Sequence, residues 1–336
     1  MRTLLAVLVT APALALAQIQ YEGPDREKML AEGAKKEGEV MLYTSLVPED
    51  LTALGAAFEK KYGVKLKTWR ANSEKVLQRA LTEARAGRND ADIVETNGPQ
   101  LESLYREKGL QPLRSSHLKD LMPQARQAHG HWVGTRINMF VHSYNTKLVS
   151  RDELPKSYEE LAHPRWKGRL GIEAEDEDWF AMVIKALGEE QGLRVFRDIV
   201  KVNGLSVRKG HTLLAGLVAS GEIPLALTTY SHGAEKMKQK GAPVEWFAIA
   251  PAIGRANGIG VVTKPPHPHA AALFVDFLLS PEGQQILQKG GYVPANLRVA
   301  DRAQKLELKF VDPAVILDEH DKWKKLWAEI VLAGAR

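Results

Sequence analysis

The 336-residue sequence contains no cysteine. The chain can therefore form no disulfide bond, even in a compartment that would allow one, and it has no thiolate to act as a nucleophile. It also lacks the cysteine that a lipid-anchored bacterial precursor needs at its cleavage site. These absences exclude a disulfide framework, thiol chemistry and that form of membrane anchoring.

The N-terminus lacks an apolar run long enough to favour a permanent membrane span. Arg2 precedes a short apolar run that begins at Leu4, and the small residues "ALA" stand before Gln18. A cation, a short apolar run and an A-x-A pattern are typical of a secretory signal peptide. We predict that residues 1–17 are removed and that the mature protein is a soluble protein of the periplasm.

No stretch of the sequence concentrates positive charge. The formal net charge is +5, and basic and acidic residues alternate, as in "DREKMLAEGAKKEGE". Such alternation is typical of solvated helices and offers no basic surface to phosphates, so we expect no nucleic-acid partner. With 44% apolar residues, the composition is that of a globular protein, and the length predicts two domains or one large two-lobed body.

The familiar catalytic motifs are also missing. The sequence has no G-x-S-x-G, P-loop or H-E-x-x-H motif, and "GIGVVT" ends after two glycines of a G-x-G-x-x-G pattern. We therefore predict that the protein is not an enzyme. A secreted hydrolase that uses two carboxylates of "EAEDED" is the remote alternative.

Strand-like and helix-like segments alternate in the first part of the chain, with short links. Buried or alternating apolar runs predict strands at 39–45, 64–69 and 91–96, and helical spacing predicts helices at 48–63, 73–87 and 98–109. This order predicts a mostly parallel sheet with right-handed crossovers.

The alternation starts again after a long extended run at 137–144. Helices are predicted at 157–168, between 179 and 200 as a pair, at 211–222 and at 231–241, and strands at 169–173, 223–230 and 243–249. The chain then crosses back near 256–262 into two helices joined at 280–281, and it ends in an amphipathic helix. The sequence therefore predicts an α/β protein with two units, each large enough for its own core.

Five segments carry a family resemblance: "EGAKKEGEVMLYTSL", "HPRWKGRLGI", "VRKGHTLLAGLVASGEIPLALTTY", "KGAPVEW" and "ALFVDFLLSPEGQQIL". In these segments the chain resembles periplasmic solute-binding proteins of ABC transporters, in particular the type II group that includes ferric-iron-binding proteins. The resemblance implies a two-lobed type II fold, in which each lobe is a mostly parallel sheet flanked by helices and two hinge crossovers join the lobes.

The resemblance also implies a domain division and a mode of action. Residues 18–137 and 257–295 are expected to form the first lobe and residues 138–256 the second, while the helical segment 296–336 is left unassigned. A monomer would capture a small solute in the cleft between the lobes, close by hinge bending and deliver the solute to an ABC permease of the inner membrane.

Ligands of α/β proteins gather at the carboxyl ends of strands, beside helix N-termini. The predicted ligand-binding residues at such positions are Thr44, Ser45, Asn97, Asp178, Trp179, Tyr230, Ser231 and His232. For Thr44 and Ser45 the alternative is helix capping, and for Asn97 it is turn formation. Arg136 is added because its guanidinium suits a carboxylate, although an arginine in a solvated ion pair is the alternative.

The run "EAEDEDWF" crowds five carboxylates between Glu173 and Asp178. Carboxylates favour a helix N-terminus, which is the structural explanation. Because they also repel one another, a bound cation would relieve the cost, and this is the functional explanation.

Tyr230 and His232 leave two ligand classes open. The resemblance implies two adjacent tyrosines for ferric iron, but Ser231 follows Tyr230, and the histidine implied after the first strand is replaced by Leu46, Val47 and Pro48. In one reading, Asp178, Tyr230 and His232 bind Fe(III) as the transported ligand, with no cofactor. In the other, which the residues alone favour, the site holds a small organic carboxylate, phosphonate or amine.

Overall fold

The computed structural model of the chain describes residues 20–88, 90–300 and 308–334. The predicted signal peptide, residues 1–17, lies outside this part. Among the described residues, no helix is both long and apolar enough to cross a membrane.

The structure is mixed α/β, which confirms the predicted fold class. Its helices are α1 (Arg26–Glu37), α2 (Pro48–Tyr62), α3 (Ser73–Arg85), α4 (Gly98–Arg106), α5 (Glu177–Leu187), α6 (Glu189–Asn203), α7 (His211–Ser220), α8 (Ser231–Gln239), α9 (Pro268–Leu279), α10 (Pro281–Lys289), α11 (Pro313–Asp318) and α12 (His320–Trp327). Its strands are β1 (Glu39–Thr44), β2 (Lys65–Arg70), β3 (Ile93–Asn97), β4 (Val133–Asn145), β5 (Leu170–Glu173), β6 (Ser206–Arg208), β7 (Leu225–Tyr230), β8 (Val244–Phe247), β9 (Ala252–Val261), β10 (Val293–Pro294) and β11 (Leu308–Phe310).

Local sequence signals determine where several helices begin and end. Pro48 stands in the first turn of α2, and Gly63, with φ of 71°, ends that helix in the left-handed conformation that glycine adopts without strain. Helix α3 is capped by Asn72, whose side-chain oxygen accepts a hydrogen bond from the Lys75 amide at 3.0 Å.

The helix predicted at 157–168 is wrong. The structure has two short 3₁₀ helices there, Glu159–Ala162 and Pro164–Trp166. His163 lies between them with φ of −64° and ψ of 135°. Because a residue that precedes proline is pushed out of the α region, Pro164 prevents one continuous helix.

Two compact units divide the chain. The first comprises the described residues up to Thr135 together with Gly258–Ile286 and Ala295–Val299. The second comprises Arg136–Asn257, Leu287–Pro294 and the described residues after Val299.

In the first unit, β1 is the central strand. It pairs in parallel with β2 on one side and with β3 on the other. The carboxyl ends of β1 and β3 therefore lie at the same edge of the sheet, and Thr44 and Asn97 are the last residues of these strands.

In the second unit, β5 lies between β6 and β7 and is parallel to both. Strand β4 is antiparallel to β7 and to β8. Because β5, β6 and β7 run in the same direction, their carboxyl ends bring Glu173, the link before α7 and Tyr230 to one edge of this sheet.

The segment Leu287–Pro294 differs from the predicted division, which places 257–295 in the first lobe. It belongs to the second unit because β10 pairs with Arg136 and Ile137 of β4. The Tyr292 ring also lies 4.1 Å from the ring of His232.

The C-terminal segment is not a single helix. Helices α11 and α12 meet at Glu319, and α12 continues as a π-helix at Ala328–Leu332. Trp323 and Trp327 are both 1% exposed, and their rings lie 6.3 and 5.3 Å from the ring of Phe180. Helices α11 and α12, in the segment that the sequence leaves unassigned, therefore pack into the core of the second unit, whereas residues 296–299 belong to the first.

Candidate functional site

Three ionisable side chains meet at the sheet edge of the second unit. Glu173 ends β5, Asp176 precedes α5, and His211 is the first residue of α7. One ligand atom from each residue, a carboxylate oxygen or a ring nitrogen, lies within 4.8 Å of the other two. We call Glu173, Asp176 and His211 the acid–histidine cluster.

Backbone amides orient Glu173. Its Oε1 accepts a hydrogen bond from Gly210 at 2.7 Å, and its Oε2 accepts one from Glu175 at 2.5 Å. The Glu173 amide donates to Thr228 Oγ1 at 3.0 Å. Because both oxygens are already held by the main chain, the direction of this carboxylate is set by the fold.

Asp176 is buried without such support. Its exposed fraction is 1%, and neither carboxylate oxygen has a regular hydrogen bond from any described residue. The contact that it does make is ionic, with His211 Nε2 at 3.2 Å from Asp176 Oδ1. A buried carboxylate with so few donors is costly, and a cation would lower that cost.

The cluster changes the proton affinities of its own members. Burial, followed by the charge of Asp176, raises the pKa of Glu173 above its ordinary value. Burial by itself lowers the pKa of His211, but Asp176 and Glu173 outweigh burial, so the net shift is upward. The two carboxylates thus already attract positive charge to this position.

Tyr230 and Asp178 lie beside the cluster but bind an internal cation. Arg255 Nη1 lies 2.6 Å from Asp178 Oδ2, and Arg255 Nη2 donates a hydrogen bond to the Tyr230 hydroxyl. The guanidinium also stands 5.0 Å from the centre of the Phe140 ring. Burial raises the pKa of Tyr230, although Arg255 opposes this shift, so the phenol is neutral at pH 7.

His232, which the sequence predicts as a metal ligand with Asp178 and Tyr230, lies in a different environment. Its ring lies 5.4 Å from that of Tyr230 and 4.1 Å from that of Tyr292. Burial, with the charges of Arg136 and Lys236, holds the pKa of His232 well below its usual range. The imidazole beside the carboxylates is that of His211, so the structure does not place His232 in the acid–histidine cluster.

Arg136, Trp179 and Ser231 are all buried in the second unit. The Arg136 guanidinium lies 4.9 Å from the centre of the Tyr292 ring. Trp179 is a core residue with 1% exposure, and it packs edge-on against Phe196 at 5.7 Å. Ser231 is the first residue of α8. The indole of Trp179 therefore fills the core of the second unit.

Thr44, Ser45 and Asn97 belong to the first unit. Thr44 Oγ1 hydrogen bonds with Glu95 and accepts the Leu46 amide at 2.9 Å. The Ser45 amide donates to the Glu95 carbonyl at 3.1 Å. The residue at the cap of α2 is Val47, with no side-chain cap, and Asn97 makes no cap bond to α4. The Thr44 side chain stabilises the end of β1, and the helix-capping interpretation of Thr44 and Ser45 is wrong.

Two residues of the site, His211 and Arg255, are missing from the sequence prediction. Strand β6 has only three residues, so the strand-end rule is not applied at "KGH", although that rule would have indicated His211. Arg255 lies inside β9 and meets Asp178 across 77 positions of sequence, so no local pattern indicates its partner.

The chain forms two compact units, and charged side chains lie at strand ends of the second unit. Residues 53–310 match the family model for the bacterial extracellular solute-binding proteins, and the chain belongs to this family. This result confirms the predicted class of solute-binding protein.

Curated relatives match most of the chain. It is 29% identical to Iron uptake protein A1 of Synechocystis sp. over 307 residues, which cover 83% of each protein. It is 23% identical to the Fe(3+)-binding periplasmic protein of Serratia marcescens, over 77% of this chain and 78% of the relative.

Solved structures share the fold. Iron-bound HitA from Pseudomonas aeruginosa matches with a TM-score of 0.76 and 24% identity, over 87% of this chain and 99% of that structure. The periplasmic binding protein AfuA from Actinobacillus pleuropneumoniae, with fructose-6-phosphate bound, matches with a TM-score of 0.76 and 21% identity, over 88% and 98%. At these identities the likeness concerns the fold, which is that of periplasmic binding proteins.

Proposed function

We propose that this protein is the solute-binding component of an ABC importer, that it acts in the periplasm, and that it captures ferric iron for a permease of the inner membrane. Its family binds solutes, and two curated relatives are named for iron uptake or Fe(3+) binding. The protein binds and releases its solute without chemical turnover.

The observation that carries the proposal is the environment of Asp176. This carboxylate is 1% exposed, lies within ligand distance of Glu173 and His211, and has no regular hydrogen bond from the described residues. Fe(III) is a hard cation that favours carboxylate and other oxygen ligands, and iron also accepts imidazole. A cation of this kind would add positive charge beside a buried carboxylate whose ion-pair partner is the partly exposed imidazole of His211.

A carrier of an anionic organic solute is the second candidate. Arg136 and Lys236 both approach the Tyr292 ring, at 4.9 and 5.5 Å from its centre. This pair of cations beside an aromatic ring suits a carboxylate or a phosphonate. The two candidates require opposite charges of the solute, so the same binding experiment separates them.

The proposal is tested by identifying the solute or metal that the purified protein retains. Mass spectrometry of the native protein as isolated, with metal analysis, identifies any retained solute, and equilibrium dialysis against ferric citrate measures iron uptake. We expect about one bound iron per chain, and much less in the Asp176→Asn variant. A protein that retains an organic anion and takes up no iron would support the second candidate, and measurable hydrolysis of a solute would contradict both.

A further inference from the structure

We propose that Glu173, Asp176 and His211 are the metal ligands contributed by the second unit, and that Tyr230 and Asp178 remain paired with Arg255 when the metal binds. The identity of the metal, ferric iron, rests on the proposed function. The ligand set is a separate claim about which side chains of this unit touch the cation.

The geometry of the cluster suits a metal ion. The three ligand atoms already lie within 4.8 Å of one another. Ligand atoms around a first-row metal stand at about 2.0 to 2.2 Å from it, and therefore roughly 3 to 4 Å from each other. Side-chain movements of about 1 Å close the set, and no main-chain rearrangement of the unit is required.

The hydrogen bonding of Asp176 is incomplete. Its Oδ2 atom is buried without a hydrogen bond from the described residues, and its Oδ1 atom has the ionic contact with His211 Nε2 at 3.2 Å but no well-aligned hydrogen bond. Buried polar atoms are normally paired, so the free lone pairs of this carboxylate indicate a missing partner. His211 keeps 22% of its side chain exposed, which leaves the cluster a route to solvent.

Neighbouring main-chain groups orient the side chains of the cluster. The amides of Gly210 and Glu175 hold Glu173 in place. Gly210 also immediately precedes His211, so the same short link positions two members of the cluster. Metal sites depend on such supporting hydrogen bonds to aim their ligands.

Tyr230 and Asp178 are already occupied, because each receives a donor from Arg255, which is 5% exposed. A metal ion on the Tyr230 oxygen would stand next to this buried guanidinium, and the two positive charges would repel each other strongly at such a distance. Among the described residues, Arg255 forms its ion pair with Asp178 and acts on Asp176 only from outside ion-pair distance. The acid–histidine cluster is therefore the better position for a cation.

The experiment uses the mature chain with ferric citrate, and with Zn(II) and Mn(II) as comparison metals. Metal content after dialysis and competition with a chelator gives affinities for wild type, Glu173→Gln, Asp176→Asn, His211→Gln, Tyr230→Phe and the control Glu175→Gln. Only the main-chain amide of Glu175 contacts Glu173, and Glu175→Gln keeps that amide, while its exposed carboxylate pairs with Lys209 at 2.5 Å outside the cluster. Thermal melting of each metal-free variant shows whether it folds.

We expect Glu173→Gln, Asp176→Asn and His211→Gln to lose at least about 100-fold in affinity, and Tyr230→Phe and Glu175→Gln to change it by less than about threefold. Because no phenolate binds the metal through this unit, the Tyr230→Phe complex should keep the visible absorption spectrum of the wild-type ferric complex.

Three results would contradict the ligand set, the proposed function or both, and each result can be told from the others. If Tyr230→Phe removes a visible absorption band together with iron, while Asp176→Asn keeps both, the ligand set is wrong and the proposed function stands. If Zn(II) or Mn(II) binds through the cluster and ferric iron does not, the ligand set stands and the proposed function is wrong. If no metal binds to the folded wild type, both are wrong.

Discussion

Asp176 and Asp178 show how two neighbouring carboxylates acquire different roles. Both lie at the start of α5, where the helix dipole favours negative charge. Asp178 has a buried guanidinium 2.6 Å away, whereas the ion-pair partner of Asp176 is the partly exposed imidazole of His211, and the charge of Arg255 acts on Asp176 without an ion pair. Asp178 is therefore the more fully neutralised carboxylate, and Asp176 keeps more capacity to bind a cation.

Removal of the guanidinium should therefore cost stability. In Arg255→Met, Asp178 and Tyr230 lose their buried partner, and we expect unfolding in urea to become about 3 to 5 kcal/mol easier. The double variant Arg255→Met, Asp178→Asn leaves no unpaired charge and should recover part of this loss. Equal losses in the single and double variants would contradict the assigned role of the ion pair.

Asp176→Asn should change the stability of the metal-free protein only slightly. It removes the repulsion that raises the pKa of Glu173 but also the ion pair with His211, and because these effects oppose each other we expect the free energy of unfolding to change by less than about 1 kcal/mol. Urea unfolding without metal, with Glu175→Gln as the control, measures it. A clear loss of stability would show that Asp176 serves the fold and not a ligand.

His142 gives the second unit a pH dependence. Burial lowers its pKa to about 3, and its ring lies among Tyr158, Phe247 and Trp179. The unfolded pKa is about 6.5, so between pH 6.5 and 3 the unfolded state binds more protons than the folded state. Stability should thus fall as the pH falls through this window, by up to about 1.4 kcal/mol per pH unit.

The variant His142→Phe keeps an aromatic ring at this position and removes the titrating group. We expect its free energy of unfolding, measured between pH 7 and pH 4, to decrease less steeply than that of the wild type. Parallel curves for the two proteins would show that His142 is not buried in its neutral form.

At the scale of elements, the C-terminal helices support the loop that carries Asp176. Trp327 packs on Phe180 of α5, and its Nε1 donates to the Ala174 carbonyl at 2.9 Å. Ala174 directly follows β5, between Glu173 and the rest of the cluster loop. The tail helix α12 thus holds both the core and the main chain of the candidate site.

Trp327→Ala should destabilise the protein by about 3 to 5 kcal/mol, because it leaves a large cavity and an unpaired carbonyl. We also expect weaker metal binding, because the loop from Ala174 to Asp176 loses an anchor. The matched control is Leu332→Ala, since Leu332 is 41% exposed on the following π-helix. We would measure the free energy of unfolding in denaturant and the metal affinity of both variants. Equal changes in the two variants would contradict the role of Trp327 as an anchor of the loop.

Elements with strong local signals were predictable from the sequence. Strand β1 and helix α2 follow from a buried apolar run, a proline in the first turn and a glycine at the end. The conformation of segment 157–168 was not predictable in this way. Its apolar residues have helical spacing, and this pattern takes no account of the break that Pro164 causes. Strand β6 is too short for a periodic pattern, so the sequence did not predict this strand or the site residue His211 that follows it.

The candidate site was predictable only in part for a related reason. The crowded acids after β5 and Tyr230 after β7 are visible in sequence, because a strand end indicates its own neighbourhood. Their partners are not visible, because Arg255 reaches Asp178 from a different strand 77 residues away. The sequence therefore indicated that carboxylates gather at this edge. It did not show which of these carboxylates is paired with a cation of the protein.

At the scale of the whole molecule, the unit boundaries lie inside two long strands. The chain leaves the first unit between Thr135 and Arg136 in β4 and returns between Asn257 and Gly258 in β9. Hinge closure around a solute stays a prediction of the family resemblance. Small-angle scattering with and without ferric citrate tests it, and an unchanged radius of gyration for the iron-loaded protein would contradict it.

We propose above all that the buried carboxylate of Asp176 makes this solute-binding protein a metal carrier. Equilibrium dialysis against ferric citrate, with iron counted per chain in wild type, Asp176→Asn and Glu175→Gln, tests it most directly. The account predicts about one iron per chain in wild type and Glu175→Gln, and almost none in folded Asp176→Asn. Equal iron content in all three proteins, or none in the wild type, would contradict it.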